Sequence, residues 1–386
     1  MTTQTRAYTS GIAVGMACGW NMTSVGAVAD ELSASYGVGL ATIGLFTTAL
    51  FVVHMGMQIP TGRLADRFGG RSVCIAALVI LIAANALASV APSTVLGLGA
   101  RALVGLGTGL GFIAGSDYIR SMGGSPFVQG IYGGSSLVAP GLALAVVPAL
   151  EVQLGFRAPF VSAVAIAALV LVLMVLAPPS TSRGVRRQAG FGTGLLRDRR
   201  LQRFAAVHVG SFGLSLIVGN WVVTLLERHG QSHTRAALAG SLTLLLGFFT
   251  RAYGGWLLRS HPNRAPAAVA TALLVGAAGT ALLASPLPYA LLVAAAATVG
   301  LAAGIPFAIA FSGAAAARPD APGAAVGFVN AWAALAILVG TPLAGLAFSL
   351  PGEGRIGFLV IAVLWAVTAL ATPRRADLPG TAVSER

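Results

Sequence analysis

The stretch IPTGRLADRFGGRSV, Ile59–Val73, crowds Arg63, Asp66, Arg67 and Arg71 among glycines, in a chain of which only 9% of the residues are charged. Two apolar runs flank it, 42–61 and 72–91. Each is long enough to cross roughly 30 Å of hydrocarbon at about 1.5 Å per residue of helix. The charge therefore falls where two spanning helices meet at a wet surface, and the stretch reads as the loop that joins them.

The rest of the chain repeats this pattern. Of 386 residues 56% are hydrophobic, and the mean hydropathy is +0.85. Soluble chains carry about 25% charged residues, so the polar surface here is too small for a fold bathed in water. Apolar runs recur near 9–29, 95–116, 127–149 and 159–177, then near 204–226, 236–257, 266–284, 288–311, 323–349 and 355–372. With the first pair that makes twelve. The expected fold is an all-α membrane protein of twelve transmembrane helices in two pseudo-symmetric six-helix bundles, 1–177 and 204–372. A basic linker, 178–203, joins them, and a tail, 373–386, follows.

All 24 basic residues are arginine, and the net charge is +13. Cytoplasmic loops of membrane proteins concentrate such residues. With the N-terminus inside, eighteen arginines fall on the inner side. Four fall outside, Arg157, Arg228, Arg235 and Arg355. This places both termini in the cytoplasm and the protein in the cytoplasmic membrane. It accounts for the basic charge without nucleic acid, which is not an expected partner. Ala27 and Ala29 mimic a signal-cleavage site, but the run before them reads as the first span. Cys18 and Cys74 lie in apolar runs at no metal or redox spacing. No catalytic constellation, metal site or cofactor is expected.

Gly62, Leu64, Asp66-Arg67, Gly69 and Arg71 resemble the loop signature of the major facilitator superfamily between its second and third helices. Gly70 stands where the first of its two final basic residues is usual. Arg101–Gly111, RALVGLGTGLG, is similar to the helix-four pattern of that superfamily. Val138–Gly141, VAPG, resembles only in part the glycine-proline element of its antiporters. Arg251–Ser260, RAYGGWLLRS, repeats the loop weakly in the second half. The resemblance covers the whole chain and implies a transporter. It also implies that Gly62, Asp66, Arg67, Gly69 and Arg71 form a cytoplasmic gate rather than a substrate site. Asp117 and Arg120 in GSDYIRS join this gate, with Asp117 expected as a partner of Arg67 or Arg71; the alternative is a proton-coupling role for Asp117.

Two arginines, Arg101 and Arg251, fall inside spans, where a charge costs several kcal/mol and marks a functional candidate. No Asp or Glu sits in the middle of a span. Asp30, Glu31 and Glu227 fall at outer ends; Asp66, Asp117 and Asp320 fall at inner ends. An unpaired guanidinium is a planar fork matched to carboxylate, nitrate or phosphate oxygens. The plainer alternative is that either arginine braces its own helix. RAYGGW also resembles the helix-eight segment of nitrate/nitrite porters. Asn330 is similar to their helix-eleven asparagine, while Gln58 occupies the position of their helix-two arginine. The candidate substrate-binding set is Arg251, Arg101, Gln58, Asn330, Tyr132, Asn21 and His208. His54 and His208 are candidate proton relays.

These residues point to a secondary active transporter, not an enzyme, moving a small inorganic or organic anion by alternating access. A coupling proton or counter-anion accompanies the substrate, and the protein is a monomer in the lipid bilayer. The alternative is a proton-coupled exporter of drugs or metabolites. That reading lacks the buried carboxylate that such pumps usually carry. A sensor would carry a sizeable soluble domain, and none is visible.

Overall fold

The computed structural model describes residues 2–124, 126–180, 194–318 and 322–378. Twelve long helices account for nearly all of them: α1 Thr3–Thr23, α2 Leu40–Gly56, α3 Gly70–Ala88, α4 Thr94–Ser121, α5 Pro126–Leu154, α6 Ala158–Val175, α7 Arg199–Arg228, α8 His233–Ser260, α9 Ala265–Leu283, α10 Tyr289–Ala317, α11 Pro322–Leu346 and α12 Arg355–Thr368. Among the described residues, eight stretches are long and apolar enough to cross a membrane on length and composition. One of these, Ile131–Val175, takes in most of α5 and all of α6. Their direction follows from α1, which touches both. Gly15 of α1 lies against Tyr132, and Thr23 donates to the Pro140 carbonyl, so α5 runs parallel to α1. Ser10 donates to the Leu173 carbonyl and Trp20 to Ser162, so α6 runs antiparallel. Gly155, at φ 53°, makes the reversal between them. α1 is followed by a bent continuation, Gly26–Tyr36, while α2 and α12 are shorter apolar helices. With six spans in each half, the first and last described residues lie on one face, here called the terminal face; the opposite is the distal face.

The helices form where expected, with two differences at their ends. The charged segment between the second and third spans is a helix over Gln58–Phe68, and not a loop. Only Gly69 turns the chain, at φ 81°. The seven residues from Pro60 to Asp66 contain Leu64 and Ala65, good helix formers that let the backbone bond itself up to that glycine. Likewise α7 starts at Arg199, inside the expected linker. Asp198 caps it by accepting from the backbone N–H groups of Arg200 at 2.9 Å and Leu201 at 3.4 Å. Leu201, Phe204 and Ala205 bury one face of this first stretch. Residues 181–193 of the linker and 379–386 of the tail lie outside the described residues.

Each half is held by close helix contacts at glycine, since lipid offers no hydrophobic drive between helices. Gly105 of α4 lies against the Leu50 carbonyl of α2, leaving no room for a Cβ. Gly300 of α10 lies against the Leu242 carbonyl of α8 in the same way. The fourth helix of each half thus docks closely on the second at glycine, which is the internal repeat seen as packing. Large apolar side chains face outward all round, for example Val95 at 82%, Val172 at 55% and Val363 at 63% exposure. In a membrane these contact lipid.

The halves meet along two seams. In one, α2 lies on α11, with Thr48 donating to the Leu338 carbonyl at 2.6 Å. In the other, α5 lies on α8. Ion pairs close the distal ends. Arg228 of α7 reaches Asp30, beyond α1, at 2.6 Å. His233 of α8 lies against Glu227 and stands 3.7 Å from Glu151 of α5.

Candidate functional site

The seam between α5 and α8 carries the site. Arg251 sits in the second part of α8, Gly247–Ser260, and is only 7% exposed. Its Nη1 donates to the Gly133 carbonyl at 2.6 Å and to Ser136 Oγ at 3.2 Å, both on α5. The flat face of the guanidinium lies on the Phe307 ring of α10, 3.5 Å from its centroid, with Phe212 at 5.9 Å. The other edge is unpaired among the described residues. Nε is buried without a partner among the described residues, and Nη2 donates to none of them. No described Asp or Glu pairs with this arginine.

The aromatic wall comes from two helices. His208 and Phe212 are four residues apart on α7, and Phe307 and Phe311 are four apart on α10, so each pair shares one face. His208 stacks on Phe212 at 5.4 Å and meets Phe311 edge-on at 4.7 Å. Phe307 and Phe311 stack at 4.5 Å. A π-helical turn, Val209–Leu214, begins directly after His208. Such turns displace a helix face by one extra residue and recur at functional sites. His208 is fully buried, and its Nε2 lies 3.3 Å from Asn330 Oδ1 of α11. An amide oxygen only accepts, so Nε2 carries the hydrogen. Nδ1 has no partner among the described residues.

Of the seven candidate residues, Arg251, His208 and Asn330 converge here. Arg101 and Asn21 form a second cluster in the other half. Arg101 is fully buried and spends Nη2 on the Asn21 carbonyl at 2.7 Å and Nε on the Phe46 carbonyl at 3.4 Å. Asn85 donates to Asn21 Oδ1 at 3.0 Å. Tyr132 donates to the Phe112 carbonyl at 2.5 Å, and Gln58 donates to the His54 carbonyl at 3.4 Å. His54 shares a hydrogen bond with Thr108 of its own half at 3.0 Å. Sequence reasoning missed Ser136, Phe212, Phe307 and Phe311. The four-residue spacing of the ring pairs was visible, but in a chain this apolar phenylalanine reads as packing.

The expected gate cluster is arranged differently. Arg71 donates from Nε and Nη2 to the carbonyls of Met174 and Val175, at 3.2 and 2.5 Å, and so ties α3 to the end of α6. Asp117 pairs with Arg120 three residues on, at 2.5 Å, and not with Arg67 or Arg71. One helical turn brings Arg120 to it at no cost in chain ordering, whereas Arg71 is spent on α6. Arg67 lies over the Phe68 ring at 5.0 Å. Gly62 lies within the short helix Gln58–Phe68 and Gly69 at its end. The side chain of Asp66 and the whole of Asp320 lie outside the described residues.

Residues 9–341 match the Major Facilitator Superfamily, and the chain belongs to that family. No curated protein matches it. Among solved structures it is similar to a mutant form of the nucleoside transporter NupG, at 15% identity and a TM-score of 0.75, over 96% of this chain and 99% of that one. It is similar also to a bacterial homolog of the human lysosomal transporter Spinster, in an inward-facing and occupied conformation. There the identity is 16% and the TM-score 0.75, over 98% of this chain and 99% of that one. At such identities the likeness carries the twelve-helix, two-bundle fold. The protein is a multi-pass membrane transporter of a small molecule, and not an enzyme.

Proposed function

We propose that the protein is a secondary active transporter that carries a small anion across the cytoplasmic membrane by alternating access. The observation that carries this reading is the guanidinium of Arg251. It is buried, unopposed by any described carboxylate, bonded through Nη1 and unpaired on its Nε–Nη2 edge among the described residues. A cation held this way in a membrane protein is costly unless an anion completes it. The open Nε–Nη2 edge is the fork that takes two oxygens side by side. His208 stacks on Phe212 of the same wall, and Asn330 bonds that histidine. The arginine bias sets the terminal face in the cytoplasm.

The bonded edge suggests how binding and movement are coupled. Gly133 and Ser136 belong to one half and Arg251 to the other, so these bonds must break when the halves part beside them. An anion on the open edge draws the guanidinium toward itself and weakens that tie. Distal closure rests on Arg228–Asp30 and His233–Glu151, and terminal-face gating on Asp66 and its neighbours. Two halves, 1–177 and 204–372, rock about the site, and an ion gradient supplies the energy.

The test is a thermal-shift screen of the detergent-purified protein with inorganic and organic anions beside lipophilic cations, run with Arg251→Gln in parallel. A ligand of the folded state raises apparent stability by mass action. Stabilisation by an anion, lost in the variant together with uptake into proteoliposomes, is expected. Stabilisation by cations alone, indifferent to Arg251, would replace this reading with a drug or metabolite exporter.

A further inference from the structure

We infer that the anion is an organic monocarboxylate with a ring-sized apolar body, bound with its carboxylate on the Nε–Nη2 edge of Arg251 and its body against Phe212, Phe307 and Phe311; this rests on the anion reading above. The donor inventory of the site sets the charge. One guanidinium edge faces it, Asn330 turns its amide oxygen to His208, and the His208 nitrogen that carries hydrogen is spent on that oxygen. A phosphate or sulfate carries oxygens on every side and two charges, and here most of them would be desolvated against carbon. A carboxylate has only two oxygens, both on one end. The open edge satisfies both at once and matches a single charge.

The wall sets the body. Phe212, Phe307 and Phe311 are each partly exposed rather than sealed in the core. Phe307 and Phe311 lie nearly parallel, at 17°, and His208 lies nearly parallel to Phe212, at 12°. Phe212 and Phe307 cross at 70° with centroids 6.3 Å apart. Flat faces and edges of this kind take another ring in offset or edge-on contact. A nitrate or an acetate leaves them uncovered. A benzoate-sized ligand covers them while its charged end reaches the guanidinium that itself lies on Phe307. The same stacking holds the fork in one orientation before the ligand arrives, so less rotamer entropy is lost on binding.

The experiment compares benzoate, benzamide, acetate, nitrate and phosphate as ligands of the intact protein. It uses thermal shift and binding calorimetry in detergent and uptake of labelled benzoate into proteoliposomes. Benzoate is expected to bind at least about tenfold more tightly than acetate or nitrate, and benzamide, its uncharged counterpart, not measurably. Phe307→Leu should cut benzoate affinity several-fold and leave acetate unchanged. Arg251→Lys should weaken benzoate by a larger factor, since an ammonium is no planar fork. Nitrate, phosphate or acetate binding as well as benzoate, with Phe307→Leu without effect, overturns the inference and leaves the anion reading standing. If none of the anions binds, or benzamide binds as well as benzoate, both fall. The ligand comparison on the unmodified protein decides this even if a variant fails to fold.

Discussion

Arg251 of α8 donates through Nη1 to the carbonyl oxygen of Gly133 on α5, 2.6 Å away, so a single guanidinium both faces the aromatic wall and ties one half of the protein to the other. Ser136 Oγ accepts the second bond from the same nitrogen at 3.2 Å. The serine itself donates to the Gly133 carbonyl at 2.6 Å. Ser136→Ala removes the weaker of the two ties and leaves the open edge untouched. The expected outcome is a few-fold change in transport rate with ligand affinity nearly preserved, measured as KM against maximal rate in proteoliposomes. A loss of binding as complete as in Arg251→Gln would show that the serine acts on the ligand instead.

Arg228 and Asp30 close the distal ends at 2.6 Å, with both side chains about a third exposed. Exposed pairs contribute at most about 1 kcal/mol, so breaking one shifts the balance of states without unfolding the protein. Arg228→Gln should raise the labelling rate of a Val28→Cys reporter by a membrane-impermeant maleimide a few-fold. Val28 is 3% exposed with the latch closed and lines the cleft beside it. An unchanged rate would remove this pair from the gate.

Arg101 differs from Arg251 in that Nε and Nη2 are both spent on carbonyls within its own half, which leaves only Nη1 buried without a partner among the described residues. We expect Arg101→Met to retain the anion-induced thermal shift, since a long apolar side chain refills the volume and removes a desolvated charge. Arg101→Ala leaves a cavity and should cost about 2–5 kcal/mol, seen as a marked fall in Tm. Loss of the ligand shift in the methionine variant would place Arg101 in the substrate path.

His229 provides a pH test at the distal face. Arg355 Nε donates to its Nε2 at 3.3 Å, which requires an unprotonated ring nitrogen. Burial, and then the Arg355 charge, hold this histidine below its ordinary value of 6.5. The unfolded chain therefore binds more protons than the folded one once the pH falls below about 6.5. This part of the stability is complete above that pH and is lost as the pH falls toward the lowered value. His229→Gln should flatten the Tm–pH curve over that range. An unchanged slope would trace the acid sensitivity to another group.

Gly105 and Gly300 make a paired prediction. A methyl at either position meets a backbone carbonyl, Leu50 or Leu242, that has no rotamer to yield. Gly105→Ala and Gly300→Ala should each destabilise their half by about 1–3 kcal/mol. Gly99→Ala, with nothing within 4 Å of the added atom, serves as the control. Equal Tm values for all three would contradict the close packing of the second and fourth helices of each half.

Much of the fold was legible because its causes are local. An apolar run of sufficient length must span, and its backbone must bond itself into a helix wherever lipid surrounds it. The glycines and Asp66-Arg67 between the second and third runs were enough to suggest the family. That Arg101 and Arg251 are buried followed from where they fall in those runs. Helix ends were less legible. Gln58–Phe68 carries enough charge to look like loop, yet no residue before Gly69 stops the helix.

What the partners of the charges are was decided by the tertiary structure alone. Asp117 takes Arg120, Arg71 takes the end of α6, and Arg101 takes two carbonyls, because each geometry depends on where neighbouring helices place their acceptors. The aromatic wall is the clearest case. In a spanning helix the faces toward lipid, toward core and toward a cavity are all apolar, so the periodicity that marks a buried face in water is erased. The spacing of Phe212, Phe307 and Phe311 therefore could not be told from ordinary packing in the sequence. Only the packing of α7, α8 and α10 joins them into one wall, sets Phe212 and Phe307 over Arg251 and leaves one edge of that guanidinium unpaired.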